Sequence, residues 1–356
     1  MQIAPWIIIP IVLVAAVSWS IFFKPKSTPS LFTVQSSVTS QDILTRAKQC
    51  ARSVMVPAKG GIIGLQVAGI TPLDDPHILP ALLEIKPAWV RLELIWNQIE
   101  RSDGTYDWSK TDGLISGLTK NGIQVLAVVD YLPTFLKDWN KAVTRFEKFY
   151  AEAIKRYKPG GTLATAQGWG TGGVRYWEIF NEPNLPGYGW GVQGMDTASY
   201  VDEYALMLTS ANKVLRANDP AGVIMLAGLS PDGLPPDTFW SALYNAGMKN
   251  CFDILAVHPY GYFGRFSILE DTLEQYVTSK GDAGKTVWFS EVGTNNDSER
   301  ADLLNQLATE RPKINALIWL SLYDLGNAPG KTYGLMTYDF AKKPDFDLFK
   351  SLFGVK

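Results

Sequence analysis

Eight short apolar runs, separated by longer amphipathic stretches, limit what this chain can fold into more than any other feature. They are Ile62–Ala68, Trp89–Leu94, Gln124–Val129, Val174–Phe180, Val223–Ala227, Ile254–Val257, Val287–Ser290 and Ala316–Ser321. Several are almost unbroken Val, Ile and Leu, the composition of strands covered on both faces. Between them, Thr111–Lys120, Trp139–Tyr157, Ala198–Ala217 and Glu299–Leu307 carry helical periodicity. Such alternation predicts parallel strands joined by crossover helices, and eight units in about 300 residues predict a single (β/α)8 TIM barrel. An open doubly wound sheet would need a glycine-rich phosphate loop after its first strand. Here Gly60, Gly61 and Gly64 lie at the start of that strand instead. The amphipathic stretch Asp42–Arg52, ahead of the first strand, is expected to form a helix over the barrel floor.

The amino terminus is of another kind. Ile3 to Phe23 is an uncharged, mostly apolar run of 21 residues, long enough to span a bilayer. Residues 1–26 are therefore expected to be a transmembrane signal anchor or a signal peptide, 27–41 a linker, and 42–356 the catalytic domain. No Lys or Arg precedes the run, and Ala16-Val17-Ser18 is a weak cleavage site, so a signal anchor fits better than a cleaved peptide. Lys24 and Lys26 follow it and by the positive-inside rule argue for a cytoplasmic flank. The folded domain is nonetheless expected to be membrane-anchored or secreted, outside the cytoplasm.

Net charge is −2, with no block of like charges, so nucleic acid is not an expected partner. Twelve Trp, 15 Tyr and 16 Phe are mostly core, but aromatic rings also stack on the flat C–H faces of sugars. Two cysteines, Cys50 and Cys251, cannot build a disulfide scaffold or a cysteine zinc site. Both precede barrel strands and so share one end of the barrel; a single bridge and two free thiols are both open. With two histidines and no H-E-x-x-H, neither a metal nor another cofactor is expected, and a monomer is the expected state.

Chemistry in such barrels sits at the C-terminal ends of the strands. Those ends carry Arg91, with Glu93 and Trp96 beyond it; Asp130 and Tyr131; Asn181, Glu182, Pro183 and Asn184; His258, Pro259 and Tyr260; Glu291; and Trp319. Glu182 and Glu291, on strands four and seven, would face each other across the mouth. Cleaving a glycosidic bond needs such a pair, one carboxyl to protonate the leaving oxygen and one carboxylate to attack the anomeric carbon. Two close carboxyls do not ionise equally. Arg91, with Tyr260 as a hydrogen-bond donor, is expected to hold Glu291 as the anion, leaving Glu182 as the acid. The alternative for Arg91 is a structural salt bridge to Glu93 or Glu178, for His258 a satisfied core position, and for Trp319 ordinary core.

Tyr176 to Asn184, which reads YWEIFNEPN, resembles the acid/base strand of clan A glycoside hydrolases, and Trp288 to Gly293, WFSEVG, resembles their nucleophile strand. Tyr333-Gly334-Leu335-Met336, followed by Lys343-Pro344, is similar to the barrel closure of family 39 and family 5 members. The resemblance runs from about Gly61 to Phe353 and implies a retaining glycosidase acting on a β-linked poly- or oligosaccharide. It further implies that Asn181 binds the hydroxyl beside the anomeric carbon, that Arg91 and Tyr260 hold the nucleophile, that His258 sits near the acid/base, and that Trp319 floors the sugar. Family 5 members carry a His after strand three where this chain has Asp130 and Tyr131, which favours a family 39 relative and leaves the role of Tyr131 open. In the loop Leu185–Asp196, Tyr188 and Trp190 are candidates for stacking on the leaving-group side. A transglycosylase on the same site and a non-catalytic glycan-binding barrel are the alternatives. A serine hydrolase is disfavoured, since no G-x-S-x-G occurs.

Overall fold

In the computed structural model, which describes residues 39–67, 73–136, 139–185, 197–262, 264–328 and 330–355, the eight runs become eight parallel strands. They are β1 Ile62–Val67, β2 Trp89–Ile95, β3 Gln124–Asp130, β4 Tyr176–Ile179, β5 Val223–Leu226, β6 Ile254–Val257, β7 Thr286–Val292 and β8 Ala316–Trp319. They hydrogen-bond in sequence order, and β8 returns to β1 to close the barrel. The principal helices are α1 Ser40–Ala47, α2 Ile78–Ile85, α3 Trp96–Ile99, α4 Ser109–Lys120, α5 Trp139–Tyr157, α6 Thr162–Ala166, α7 Thr197–Asn218, α8 Pro236–Asn245, α9 Phe266–Ser279, α10 Asp297–Glu310 and α11 Pro344–Phe353. All described residues fall in one compact unit.

Two cores result from the alternation of side chains along each strand. One face of every strand packs on the helices, in a cluster that includes Leu65, Leu92, Val129, Trp177, Leu255 and Leu317. The other face fills the barrel with Trp89, Leu126, Tyr176, Met225, Ala256, Trp288 and Ile318. Near the floor Trp89 meets Tyr176 and Trp288 edge-on, at centroid distances of 4.7 and 5.3 Å. Such pairs add about 0.5–1.5 kcal/mol each beyond the area they bury. Above this apolar layer the interior turns polar, with Gln66, Arg91, Glu93, Asp130 and Glu178 all buried.

The start of the folded part differs from expectation. The helix runs from Ser40 to Ala47, rather than over Asp42–Arg52, and packs on α7 instead of the floor. Thr39 fixes its beginning, since Thr39 Oγ1 accepts from the Asp42 amide while Asp42 Oδ2 accepts from the Thr39 amide. The floor is covered by the extended segment that follows: Met55 and Ala58 pack on the barrel-interior cluster, and the Ala58 amide donates to Tyr176 Oη. Cys50 is bridged to Cys251, just ahead of β6. No helix among the described residues is long and apolar enough to cross a membrane. The expected membrane segment, residues 3–23, lies outside the described residues.

Candidate active site

Strand register puts the polar residues at one level. Gln66 pairs with Arg91, Arg91 with Leu126, and Leu126 with Tyr176, so one more step along each strand brings Glu93, Val128 and Glu178 together in the barrel. An Arg with no solvent exposure must be met by anions and acceptors. Arg91 Nε and Nη2 donate to the two carboxylate oxygens of Glu178, at 2.7 and 3.1 Å. Nη2 also donates to Asn181 Oδ1 at 2.8 Å, and Nη1 reaches Glu291 Oε2 at 3.3 Å. Arg91 therefore meets both carboxylates: it is paired with Glu178 and its Nη1 donates to Glu291.

Glu291 faces inward because β7 is irregular. Strict alternation would send either Ser290 or Glu291 out to the helices. The register between β7 and β8 shifts between Phe289 and Val292, and consecutive side chains then serve the same pocket. Ser290 Oγ donates to Glu178 Oε1 at 3.1 Å, while Glu291 Oε1 accepts from Tyr260 Oη at 2.5 Å. Glu182 is delivered differently. Phe180 and Glu182 have φ of +66° and +46°, in the left-handed region that side chains other than glycine rarely adopt. The Glu182 amide donates to the Gly228 carbonyl, and Asn184 fixes the loop by three hydrogen bonds to the backbone of Ser230 and Leu234. Sparse backbone conformations of this kind collect at functional sites.

His258 joins the two glutamates. Its Nδ1 is 2.9 Å from Glu182 Oε1 and 3.8 Å from Glu291 Oε1, and its Nε2 is 3.2 Å from Ser290 Oγ. Ser290 spends its hydrogen on Glu178 and so accepts from Nε2–H, which leaves Nδ1 to share a proton with Glu182. Burial alone would keep the imidazole neutral, but Glu291 and Glu182 outweigh it and raise the pKa of His258. For Glu291 burial likewise opposes charge, and His258, Arg91 and the Tyr260 hydroxyl overcome it, so its pKa falls below the ordinary carboxylate value. The Arg91 guanidinium, despite complete burial, is held more firmly charged by Glu178 and Glu291. Asp130 behaves oppositely. Burial and neighbouring Glu93 push its carboxyl well above the usual range, and its Oδ2 has no hydrogen-bond partner.

Of the residues expected from sequence, Arg91, Asn181, Glu182, His258, Tyr260 and Glu291 converge. Tyr131 caps β3 with a φ of +62° and is half-buried beside the site. Trp319 does not line the mouth. Ala316 and Ile318 face the barrel interior, so period two turns Leu317 and Trp319 toward the helices, where Trp319 is fully buried. It is core, and the sugar platform assigned to it is withdrawn. Trp190 and Tyr188 lie outside the described residues. Two contributors were missed: Ser290, which orients His258, and Gln66, while Glu178, which the sequence offers only as a structural partner for Arg91, also orients that side chain. Each was marked in the sequence as a polar residue on the inward register of an apolar strand. Glu182, His258 and Glu291 also form the one group among the described residues whose donor atoms could hold a metal ion.

A closed eight-stranded parallel barrel with acidic side chains converging from β4 and β7 defines the architecture of clan A glycoside hydrolases. Within that class, the family model "Cellulase (glycosyl hydrolase family 5)" matches residues 86–324, and the chain belongs to glycosyl hydrolase family 5. Glycosyl hydrolase family 5 is a family of glycosidases. The departure at Asp130 and Tyr131 does not prevent that match. Comparison with curated proteins gave no match. Among solved structures the chain is similar to a family 39 glycoside hydrolase from the gut symbiont Bacteroides cellulosilyticus WH2, with 19% identity, TM-score 0.61 and coverage of 83% of this chain and 64% of that one. It is also similar to a family 39 β-xylosidase from Caulobacter crescentus (18% identity, TM-score 0.62, 86% and 74% covered). A third is an endoglucanase from the hyperthermophilic Thermotoga maritima (14% identity, TM-score 0.55, 87% and 99% covered). At these identities the likeness is one of fold. The chain spans less than two thirds of the length of the Bacteroides enzyme.

Proposed function

We propose that the protein is a retaining glycoside hydrolase that cleaves O-glycosidic bonds in a β-linked poly- or oligosaccharide, with Glu291 as nucleophile and Glu182 as acid/base. The observation that carries this reading is the closeness of the pair: donor atoms of Glu182, His258 and Glu291 all lie within 4.8 Å of one another. Retaining enzymes separate their carboxyls by about 5–5.5 Å, whereas inverting ones leave a wider gap for water.

In the first step the Glu291 carboxylate attacks the anomeric carbon. The glycosidic C–O bond breaks, and its oxygen takes the proton carried by Glu182. In the second, Glu182 accepts a proton from water, the water oxygen attacks the same carbon, and Glu291 is released. Arg91 and Tyr260 hold both oxygens of Glu291, which aims the attacking lone pair. The proton lying between His258 Nδ1 and Glu182 Oε1 gives the acid/base a local reserve. With its Oδ1 taken by Arg91, Asn181 has its amide NH2 left to donate to the hydroxyl beside the anomeric carbon. Both reacting groups are side chains, so the scheme uses no metal or other cofactor. The protein is read as a monomer, attached to the membrane or secreted through its amino-terminal segment and working outside the cytoplasm. The Cys50–Cys251 bridge supports an oxidising compartment.

Glu182→Gln and Glu291→Gln, made in the full chain and screened with chromogenic β-glycosides and β-glucans, should each lower kcat by at least about a hundredfold. Circular dichroism should show the fold unchanged. Near-wild-type activity in either variant, or a first product of inverted configuration by proton NMR, would sink this reading.

A further inference from the structure

The barrel floor gathers positive charge that the linear sequence scatters. Lys59 precedes β1, Lys86 precedes β2, Lys120 ends the helix before β3, and Arg311 and Lys313 precede β8. All five are exposed. The acids of this end are committed elsewhere. Asp219, Asp253 and Asp282 are buried and paired with Arg175, Arg216 and Arg52, and Glu84, in the last turn of α2, is held by Lys342 and Lys350. Among the described residues the five cations are thereby left without a carboxylate partner. Since the whole chain carries −2, this end is basic while the rest is acidic.

Aliphatic side chains stand among these charges. Val54 and Val56, on the extended segment across the floor, are 78% and 82% exposed. The Val54 amide donates to the carbonyl of Pro220, ahead of β5, which pins the segment in place. Val355, whose amide donates to the Lys86 carbonyl, is 54% exposed. A soluble polyanion would meet the lysines and offer the valines nothing. A lipid leaflet offers both, phosphates for the cations and the headgroup–acyl boundary for the valines. Ahead of the folded part, Ile3 to Phe23 is an uncharged run of bilayer-spanning length, and the residues between Phe23 and Thr39 can span about 50 Å when extended. We propose that the floor is a membrane-docking face, on which the exposed cations meet an anionic leaflet and Val54, Val56 and Val355 enter its interfacial layer. The mouth, at the other end of the barrel, then opens away from the bilayer, toward the water that a polymeric substrate occupies. This goes beyond attachment through the amino-terminal segment, and floor contact and attachment are measured separately.

The native cysteines are bridged, so Val56→Cys in the full chain takes an environment-sensitive fluorophore at that position alone. The labelled chain is reconstituted in phosphatidylcholine vesicles, with or without phosphatidylglycerol, that carry a nitroxide high on the acyl chain. With phosphatidylglycerol the nitroxide should quench the Val56 probe at least about twofold, whereas a probe at Phe135→Cys, beyond β3 at the mouth, should stay unquenched. Combining Lys59→Glu, Lys86→Glu and Lys313→Glu should remove the excess quenching over plain phosphatidylcholine, since each lysine contributes about a fivefold preference for an anionic surface. Salt at about 0.5 M should do the same, and it decides if the combined variant fails to fold. A Val56 probe that is not quenched, that is quenched equally without phosphatidylglycerol, or that gives way to quenching at Phe135 overturns the proposal. Flotation of the vesicles in high salt reports attachment by itself. Chain retained there with an unquenched Val56 probe at low salt leaves attachment standing and sinks the docking face. A probe quenched at low salt on chain that high salt releases does the reverse.

Discussion

Gly228 shows how narrowly the site is fitted at the scale of single residues. Its carbonyl accepts from the Glu182 amide and its amide donates to Glu178, so the backbone itself belongs to the network. A Cβ at this position would overlap the His258 ring and Ser290 Oγ. Gly228→Ala should therefore displace the imidazole that joins the two glutamates. We expect kcat to fall at least about tenfold and stability by about 1–3 kcal/mol, the usual cost of overpacking, read by steady-state kinetics and urea denaturation. Unchanged kcat would mean that His258 can shift without consequence. Nothing in the sequence singles out this glycine, because the requirement comes from side chains 30 and 62 positions away that only the closed barrel brings near. The acidic pair itself was legible: Asn181-Glu182-Pro183 and Ser290-Glu291 interrupt apolar strands where a barrel keeps its chemistry. The second role of Arg91 was legible only in part, since Glu178 and Glu291 compete for it in the sequence and share it in the fold.

At the scale of elements, near-continuous Val, Ile and Leu made the strands readable, while their irregularities were not. The shift between Phe289 and Val292 is a property of how β7 meets β8, and it decides that Ser290 and Glu291 both face the pocket. β8 has the opposite lesson. Its alternation was available in the sequence and places Trp319 with the helices, against its expected place under the sugar. Trp319→Phe should hence leave kcat within about twofold of wild type while lowering stability by about 1–3 kcal/mol, measured by chemical denaturation alongside activity. A large loss of kcat with stability intact would restore the platform role. The segment after α1 was misread because the amphipathic pattern of Asp42–Arg52 does not reveal where a helix stops. The chain leaves the helix after Ala47, and the extended residues behind it cover the floor.

At the scale of the whole molecule, chemistry and closure sit at opposite ends of the barrel. Glu182 lies just beyond the C-terminal end of β4 and Glu291 within β7 near its C-terminal end, whereas Cys251 precedes β6 and its bridge to Cys50 lies at the other end. The pairing closes a loop of 201 residues, and loops of that length give disulfides their largest effect on the unfolded chain. Cys50→Ala together with Cys251→Ala should lower unfolding free energy by about 2–5 kcal/mol with kcat unchanged, seen as a lower urea midpoint under non-reducing conditions. An altered kcat would mean that the two ends are coupled. That the cysteines share one end could be read from their positions ahead of strands; that they are bonded could not.

The same bridge determines where a mechanical load would go. A pull on the chain ahead of Thr39 enters the folded part through α1 and meets, eleven residues further on, a covalent link to the segment entering β6. Tension is thus borne by a sulfur–sulfur bond and a barrel strand, and the strap across the floor, together with the hydrogen bonds that seal it, is kept out of the line of force.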